Sequence, residues 1–170
     1  MTKFLTHEYL KSILDYNPDT GLFVWKNRSF DPSGIAKKFH KCAGYKEKTG
    51  YIRITIDYQI YAAHRLAWLC MTGHFPDCDI DHINLDKSDN RFCNLRLATK
   101  SQNSANKTKM SNNKSGYKGV SFLKSSQKWV AEIVKDGVRY FLGSFDDPIQ
   151  AYKAYCKKSV ELYGSFSRVE

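Results

Sequence analysis

The chain has 170 residues, 42% hydrophobic and 14% aromatic, enough for one ordinary domain or two small ones around a packed core. Its net charge of +10 is uneven: residues 100–139 carry nine Lys or Arg against two acids, a block that points to a polyanionic partner, most often nucleic acid. No stretch approaches the roughly 20 apolar residues of a membrane span, and five scattered cysteines without a C-x-x-C pair argue against a disulfide framework or a thiolate zinc site.

The opening MTKFLTHEYLKSILDY has neither the apolar core nor the small-residue cleavage site of a signal peptide, so a soluble, intracellular protein is expected. The cysteines read as reduced thiols, several of them buried.

Residues 4–15 predict a short helix with Leu5, Leu10, Ile13 and Leu14 on one stripe and Thr6 as its cap. Asn17-Pro18-Asp19-Thr20-Gly21 is a turn, and Leu22–Trp25 a strand. Residues 27–42 are basic, contain Pro and Gly, and predict a loop. Residues 50–61 alternate as a hairpin turning near Asp57-Tyr58-Gln59. An apolar helix follows over 62–72, ended by Gly73.

The stretch IDHINLDKSDNRFCNLRLATKSQN, Ile80 to Asn103, sets an acid-histidine pair ahead of several asparagines. Cutting a phosphodiester needs a base for the attacking water and positive charge beside the departing oxygen. A neutral histidine serves as base near pH 7, and a hard divalent ion on carboxylate and amide oxygens supplies the charge. Asp81, His82 and Asn103 offer those groups. Asn94–Leu97 predicts a strand, and Thr99-Lys100-Ser101-Gln102 fits a capping box opening a helix that presents Asn103, with Asn106 or Lys107 one turn later.

These motifs, with Ala63-His64-Arg65-Leu66-Ala67-Trp68 before them and Asp89-Asn90-Arg91 between, strongly resemble the HNH endonuclease family, and in particular phage-encoded homing endonucleases. Leu14–Lys26 also resembles the usual opening of such proteins, and the likeness covers roughly residues 8–107. It implies His82 as general base and Asp81 as first metal ligand. Asn94, twelve residues after His82, matches the central asparagine that braces the loop, and Asn103, twenty-one after, the second metal ligand. Asparagine replaces the final histidine, an H-N-N variant suited to Mg²⁺, with Mn²⁺ as the alternative and no zinc expected. His64 reads as a structural histidine near the site, and His74 as a loop residue. Asn84, Asn90 and Asn106 read as turn and cap residues, Asn106 being the alternative to Asn103 if that side chain points away. Arg91 and Arg96 stay open between phosphate contact and plain surface.

Residues 104–115 are polar and basic, a linker. Beyond it Lys118–Leu123, Gln127–Val134 and Arg139–Ser144 predict three strands, with an Asp136-Gly137 hairpin turn between the last two. A helix starts at Pro148 and runs to about Tyr163, where Gly164 stops it. Gly116–Val120, Lys128–Ile133, Leu142–Asp146 and Ala151-Tyr152 with Ala154-Tyr155 resemble the plant APETALA/ethylene-response-factor DNA-binding domain over residues 115–164. On that likeness Ala131 and Ile133 face the helix, while Lys128, Glu132, Val134, Arg139 and Phe141 face DNA. Lys118, Glu132 and Arg139 match family contact positions. Ser121, Leu123 and Val134 stand where plant domains commonly carry arginine, so the plant target sequence does not transfer.

The two resemblances imply an α+β protein: a ββα-metal nuclease domain at 1–103, a linker at 104–115, and a three-stranded antiparallel sheet with one packed helix at 116–170. The implied function is a site-specific, metal-dependent endonuclease acting on double-stranded DNA in the cytoplasm of a phage-infected host. DNA contacts are expected at Lys118, Lys128, Glu132, Arg139, Arg96 and Lys107. One site per chain favours a monomer, and neither a membrane nor a small-molecule cofactor is expected. The alternatives are a non-cleaving DNA-binding regulator on the same scaffold and a nuclease that recognises DNA shape.

Overall fold

The computed structural model describes residues 5–26 and 42–169, so the expected loop at 27–42 lies, apart from Cys42, outside the described residues. The architecture is mixed α+β and divides into two compact units, Met1–Leu97 and Ala98–Glu170. That division falls six residues before the end of the expected nuclease domain. No helix among the described residues is long and apolar enough to cross a membrane.

The first unit opens with α1 (His7–Ile13), capped by Thr6, whose hydroxyl accepts from the Tyr9 N–H. The helix ends two residues earlier than the stripe predicts, because Leu14–Asn17 is strand β1, paired antiparallel with β2 (Leu22–Trp25). Pro18 drives Asn17 towards extended backbone, and the Asn17 carboxamide accepts from the Asp19 and Thr20 N–H groups to close the turn. Strands β3 (Tyr45–Lys46), β4 (Ile52–Ile56) and β5 (Gln59–Ala62) form a second sheet, turning at Asp57-Tyr58. Next come α2 (Ala63–Thr72), β6 (Asp79–His82), a 3₁₀ turn at Phe92–Asn94, and β7 (Leu95–Ala98), which pairs with β6. Leu10, Ile13, Leu14, Phe23, Ile54, Leu66, Ile80 and Leu95 are buried in one cluster. Burial of that apolar area holds these short elements together.

In the second unit, α3 (Lys100–Asn106) opens on the capping box: Thr99 Oγ1 accepts from the Gln102 N–H, and Gln102 Oε1 from the Thr99 N–H. The sheet runs β8 (Val120–Leu123), β9 (Lys128–Lys135), β10 (Val138–Phe145), all antiparallel, with β9 central. Helix α4 (Pro148–Tyr163) packs across it. Ala131 and Ala151 meet with no exposed surface, and Ile133 packs with Tyr155 and Tyr163. Strand β8 starts two residues later than predicted, because Gly119 turns through φ +71 against Tyr155, where a Cβ would fall 2.1 Å from the ring.

All five cysteines are free: Cys42, Cys78 and Cys93 are exposed, Cys70 and Cys156 half-buried. This corrects the expectation that several are buried. The exposed three lie in turns and bridges outside the packed stripes.

Candidate active site

Strand β6 carries its apolar anchor, Ile80, into the core and then presents Asp81 and His82, both buried. Neighbouring side chains on a strand take opposite faces, and these two go to different partners. The Ile83 N–H donates to the Asn94 carbonyl. Two residues along on each strand, Arg96 Nε and Nη2 both lie 2.8 Å from Asp81 Oδ2. The expected metal ligand and an expected DNA contact therefore share one ion pair, which sets the orientation of the carboxylate.

His82 turns to an aromatic cluster. The His64 ring meets it edge-on at 5.1 Å, and Tyr51 stacks at a tilt on both rings, 5.3 Å from His64 and 6.0 Å from His82. His82 Nε2 lies 3.5 Å from Asn90 Oδ1, at the long limit of a hydrogen bond. Burial pushes the His82 pKa below its ordinary value, opposed by the Asn90 bond and by Asp81, Asp86 and Asp89. His64 is driven down to about 3 by burial, with the neighbouring His82 adding to it. His64 Nδ1 is buried and has no hydrogen-bond partner among the described residues, where a satisfied structural histidine is expected.

The loop after β6 is held by its own polar side chains. Asn94 Nδ2 donates to Asn84 Oδ1 at 3.0 Å and to the Asp89 carbonyl at 2.9 Å, while its Oδ1 accepts from the Asn84 N–H at 3.0 Å. Arg91 donates to both Asp89 carboxylate oxygens, which holds that carboxyl near pKa 2. The loop leans on two other segments of its unit. Lys87 reaches the Thr49 carbonyl and lies 4.9 Å over the Tyr51 ring. The Tyr16 hydroxyl donates to the Asn90 carbonyl at 2.8 Å, and the Phe92 N–H to Pro18 O. Gly21, at φ +72, is seated against that backbone: a Cβ there would lie 2.4 Å from Arg91 N. Asn90, which the sequence assigns to a turn, and Tyr51 and Tyr16, which it does not single out, thus touch the candidate site or its loop. The Tyr16–Asn90 contact spans 74 residues, a separation for which a chain pattern carries no signal.

Asn103 lies on α3, in the second unit, half-buried. Lys107 follows that helix and is exposed. Lys118 is half-buried, and its ammonium donates to the Ala105 and Lys107 carbonyls. Desolvation lowers its pKa to about 8. On the sheet, Lys128 pairs with Asp146 and Arg139 with Glu132, each at 3.0 Å and largely in solvent. Leu123, Val134 and Phe141 are exposed beside them, Phe141 at 62%. Among the described residues, no group of three or more His, Cys, Asp or Glu side chains is arranged to hold a metal ion.

Against known sequences, residues 61–105 match the HNH endonuclease family profile. That segment begins in β5 and runs through α2, His64, the β6 acid-histidine pair and Asn94 into α3. The match to the HNH endonuclease family lies in this segment, which holds the candidate site. The chain is 34% identical over 125 residues to an uncharacterized HNH endonuclease of Acanthamoeba polyphaga mimivirus, covering 72% of this chain and 64% of that protein. It thus spans less than two thirds of that relative. It is 31% identical over 114 residues to protein 3.8 of Escherichia phage T7, covering 65% of this chain and 93% of the phage protein. No solved structure matches.

Proposed function

We propose that the chain is a site-specific, metal-dependent DNA endonuclease of the phage homing type, in which His82 is the general base. The observation that carries this reading is the buried His82, held below the ordinary histidine pKa, beside Asp81 and within the HNH segment. An imidazole in that state is unprotonated at neutral pH and takes the proton of an attacking water. With Nε2–H donating to Asn90, Nδ1 is the basic nitrogen. Asn94 keeps the loop that carries Asn90 in shape.

Asp81 and Asn103 are the residues that would hold the ion. Their donor set fits a hard cation: one carboxylate and one amide oxygen, with substrate phosphate completing the shell. Asp81 already has a positive group, Arg96, on one oxygen. When bound, Mg²⁺ or Mn²⁺ supplies positive charge to the phosphorus and the departing oxygen. The basic stretch and the outer face of the C-terminal sheet hold duplex DNA, with Lys128, Arg139 and Lys107 towards phosphate and the exposed Leu123, Val134 and Phe141 towards base edges. This sheet is the ethylene-response-factor-like element of the reading. DNA binding is then strongly salt-dependent.

A second reading, a DNA-binding regulator that does not cut, draws on the Arg96–Asp81 pair, because a guanidinium already occupies the carboxylate. Supercoiled-plasmid relaxation in Mg²⁺, Mn²⁺ and EDTA, beside His82→Ala, separates the two. Metal-dependent nicking that drops by about 100-fold or more in the variant supports the nuclease. A gel shift by both proteins with no nicking on a bound plasmid supports the regulator.

A further inference from the structure

Helix α3 is a poor helix by itself. It has seven residues, and Ala105 is its one apolar side chain. A helix so short and polar is not stable alone in water, so its order comes from what holds it. Three points of attachment are within its own unit. Near the N-terminus, Ser101 Oγ lies 3.0 Å from the Tyr163 hydroxyl and accepts from the Asp136 N–H at the β9–β10 turn. Tyr163 is itself tied to the Val134 carbonyl. In the middle, Ala105 is buried with Ile133, Tyr155 and Tyr163. At the C-terminus, the Lys118 ammonium donates to the Ala105 and Lys107 carbonyls, and Arg168 reaches the buried Asn106. A cleft of about 1050 Å³ opens beside these contacts, lined by Lys100, Lys107, Met110 and Glu132 among others, so α3 is held at few points rather than by continuous packing.

We infer that the C-terminal sheet and α4 act as a clamp that positions Asn103, with Ser101, Tyr163 and Lys118 as positioning residues. The unit that grips DNA thereby also sets the geometry of the last HNH side chain. This rests on the nuclease reading above. Binding and cutting are coupled through the β9–β10 turn, because Asp136 touches α3 directly while Arg139 and Val134 lie on the outer face of the same hairpin. A DNA-induced shift of that hairpin moves the anchor of Ser101.

The test uses the full chain and the variants Tyr163→Phe, Ser101→Ala and Ser101→Thr. Amide hydrogen exchange over residues 100–107 is followed without metal, DNA affinity is measured in EDTA, and single-turnover nicking is titrated with Mg²⁺. Losing the hydroxyl contact should speed exchange in α3, raise the Mg²⁺ needed for half-maximal nicking and slow nicking, each by about tenfold. DNA affinity in EDTA should stay within about twofold, since phosphate contacts are untouched. Ser101→Thr, which keeps the hydroxyl, should restore all three, and the Ser101→Ala/Tyr163→Phe double variant should be no worse than either single one. If Tyr163→Phe melts the whole unit, the half-exposed Ser101→Ala carries the test. Faster exchange with nicking and metal demand unchanged would overturn the clamp as a positioning device. Unchanged exchange would overturn the clamp itself. A wild-type chain that binds DNA and never nicks removes the nuclease reading instead.

Discussion

The loop from Ile83 to Arg91 and the outer face of the C-terminal sheet are both polar, yet they are built in opposite ways. In the loop, Asn84, Asp86, Asp89, Asn90 and Asn94 turn their side chains onto backbone groups and onto each other. On the sheet, Lys128, Glu132 and Arg139 extend into solvent as isolated ion pairs beside exposed Phe141 and Val134. Interlocked hydrogen bonds centred on the buried Asn90 and Asn94 fix a geometry, and breaking one there leaves an orphan. Exposed pairs contribute little and exchange partners freely. The contrast fits a place where atoms must be held for chemistry and a surface that must adapt to a polyanion.

The sharpest way to break that contrast is at Asn94. Asn94→Ala strands the Asn84 N–H and the Asp89 carbonyl, and should lower stability by about 3 kcal/mol in urea unfolding, with nicking falling alongside. A neutral result would mean the network is ornamental. Gly21→Ala should come next, at about 2 kcal/mol, because positive φ and the Asn90–Arg91 backbone both oppose a Cβ.

The histidines set a pH dependence of smaller size. Burial holds both below the ordinary value, so the unfolded chain binds protons that the folded chain does not once pH falls below about 6.5. Stability is therefore complete above that pH, declines below it, and continues to decline towards His64's folded value of about 3. Nicking should hold its rate through pH 6.5 and fall only at lower pH. A half-maximal rate above 6.5 would contradict the buried, unprotonated base. The smallest effect is expected on the sheet. Arg139→Ala should change stability by less than about 0.5 kcal/mol, while reducing the salt slope of DNA binding by about 1. Equal destabilisation at Arg139 and Asn94 would erase the difference between the two regions.

Much of the molecule is readable from local sequence because its cause is local. The Thr99–Gln102 box, the Asp136-Gly137 turn, Pro148 at the start of α4 and the outward Arg139 and Phe141 depend on spacing within a few residues. What escapes the sequence is made at long range. The Asp81–Arg96 pair needs the β6–β7 register, and the approach of Tyr51 and His64 to His82 needs three elements packed together. Lys118 reads as a DNA-contact position, and only the fold shows its ammonium on the carbonyls at the end of α3. Leu14 and Asp15 continue a helical pattern, and only pairing with Val24 and Trp25 makes them strand.

The seating of the amino-terminal hairpin against the Asn90–Phe92 backbone sets what a transplant of the HNH segment must include. Residues 61–105 carry the HNH-family match, but Tyr16, Pro18 and Gly21 prop its loop from outside that span. A transplant cut at that segment's borders would leave its buttress behind. A unit that keeps this buttress, the β1–β2 hairpin, begins no later than Leu14.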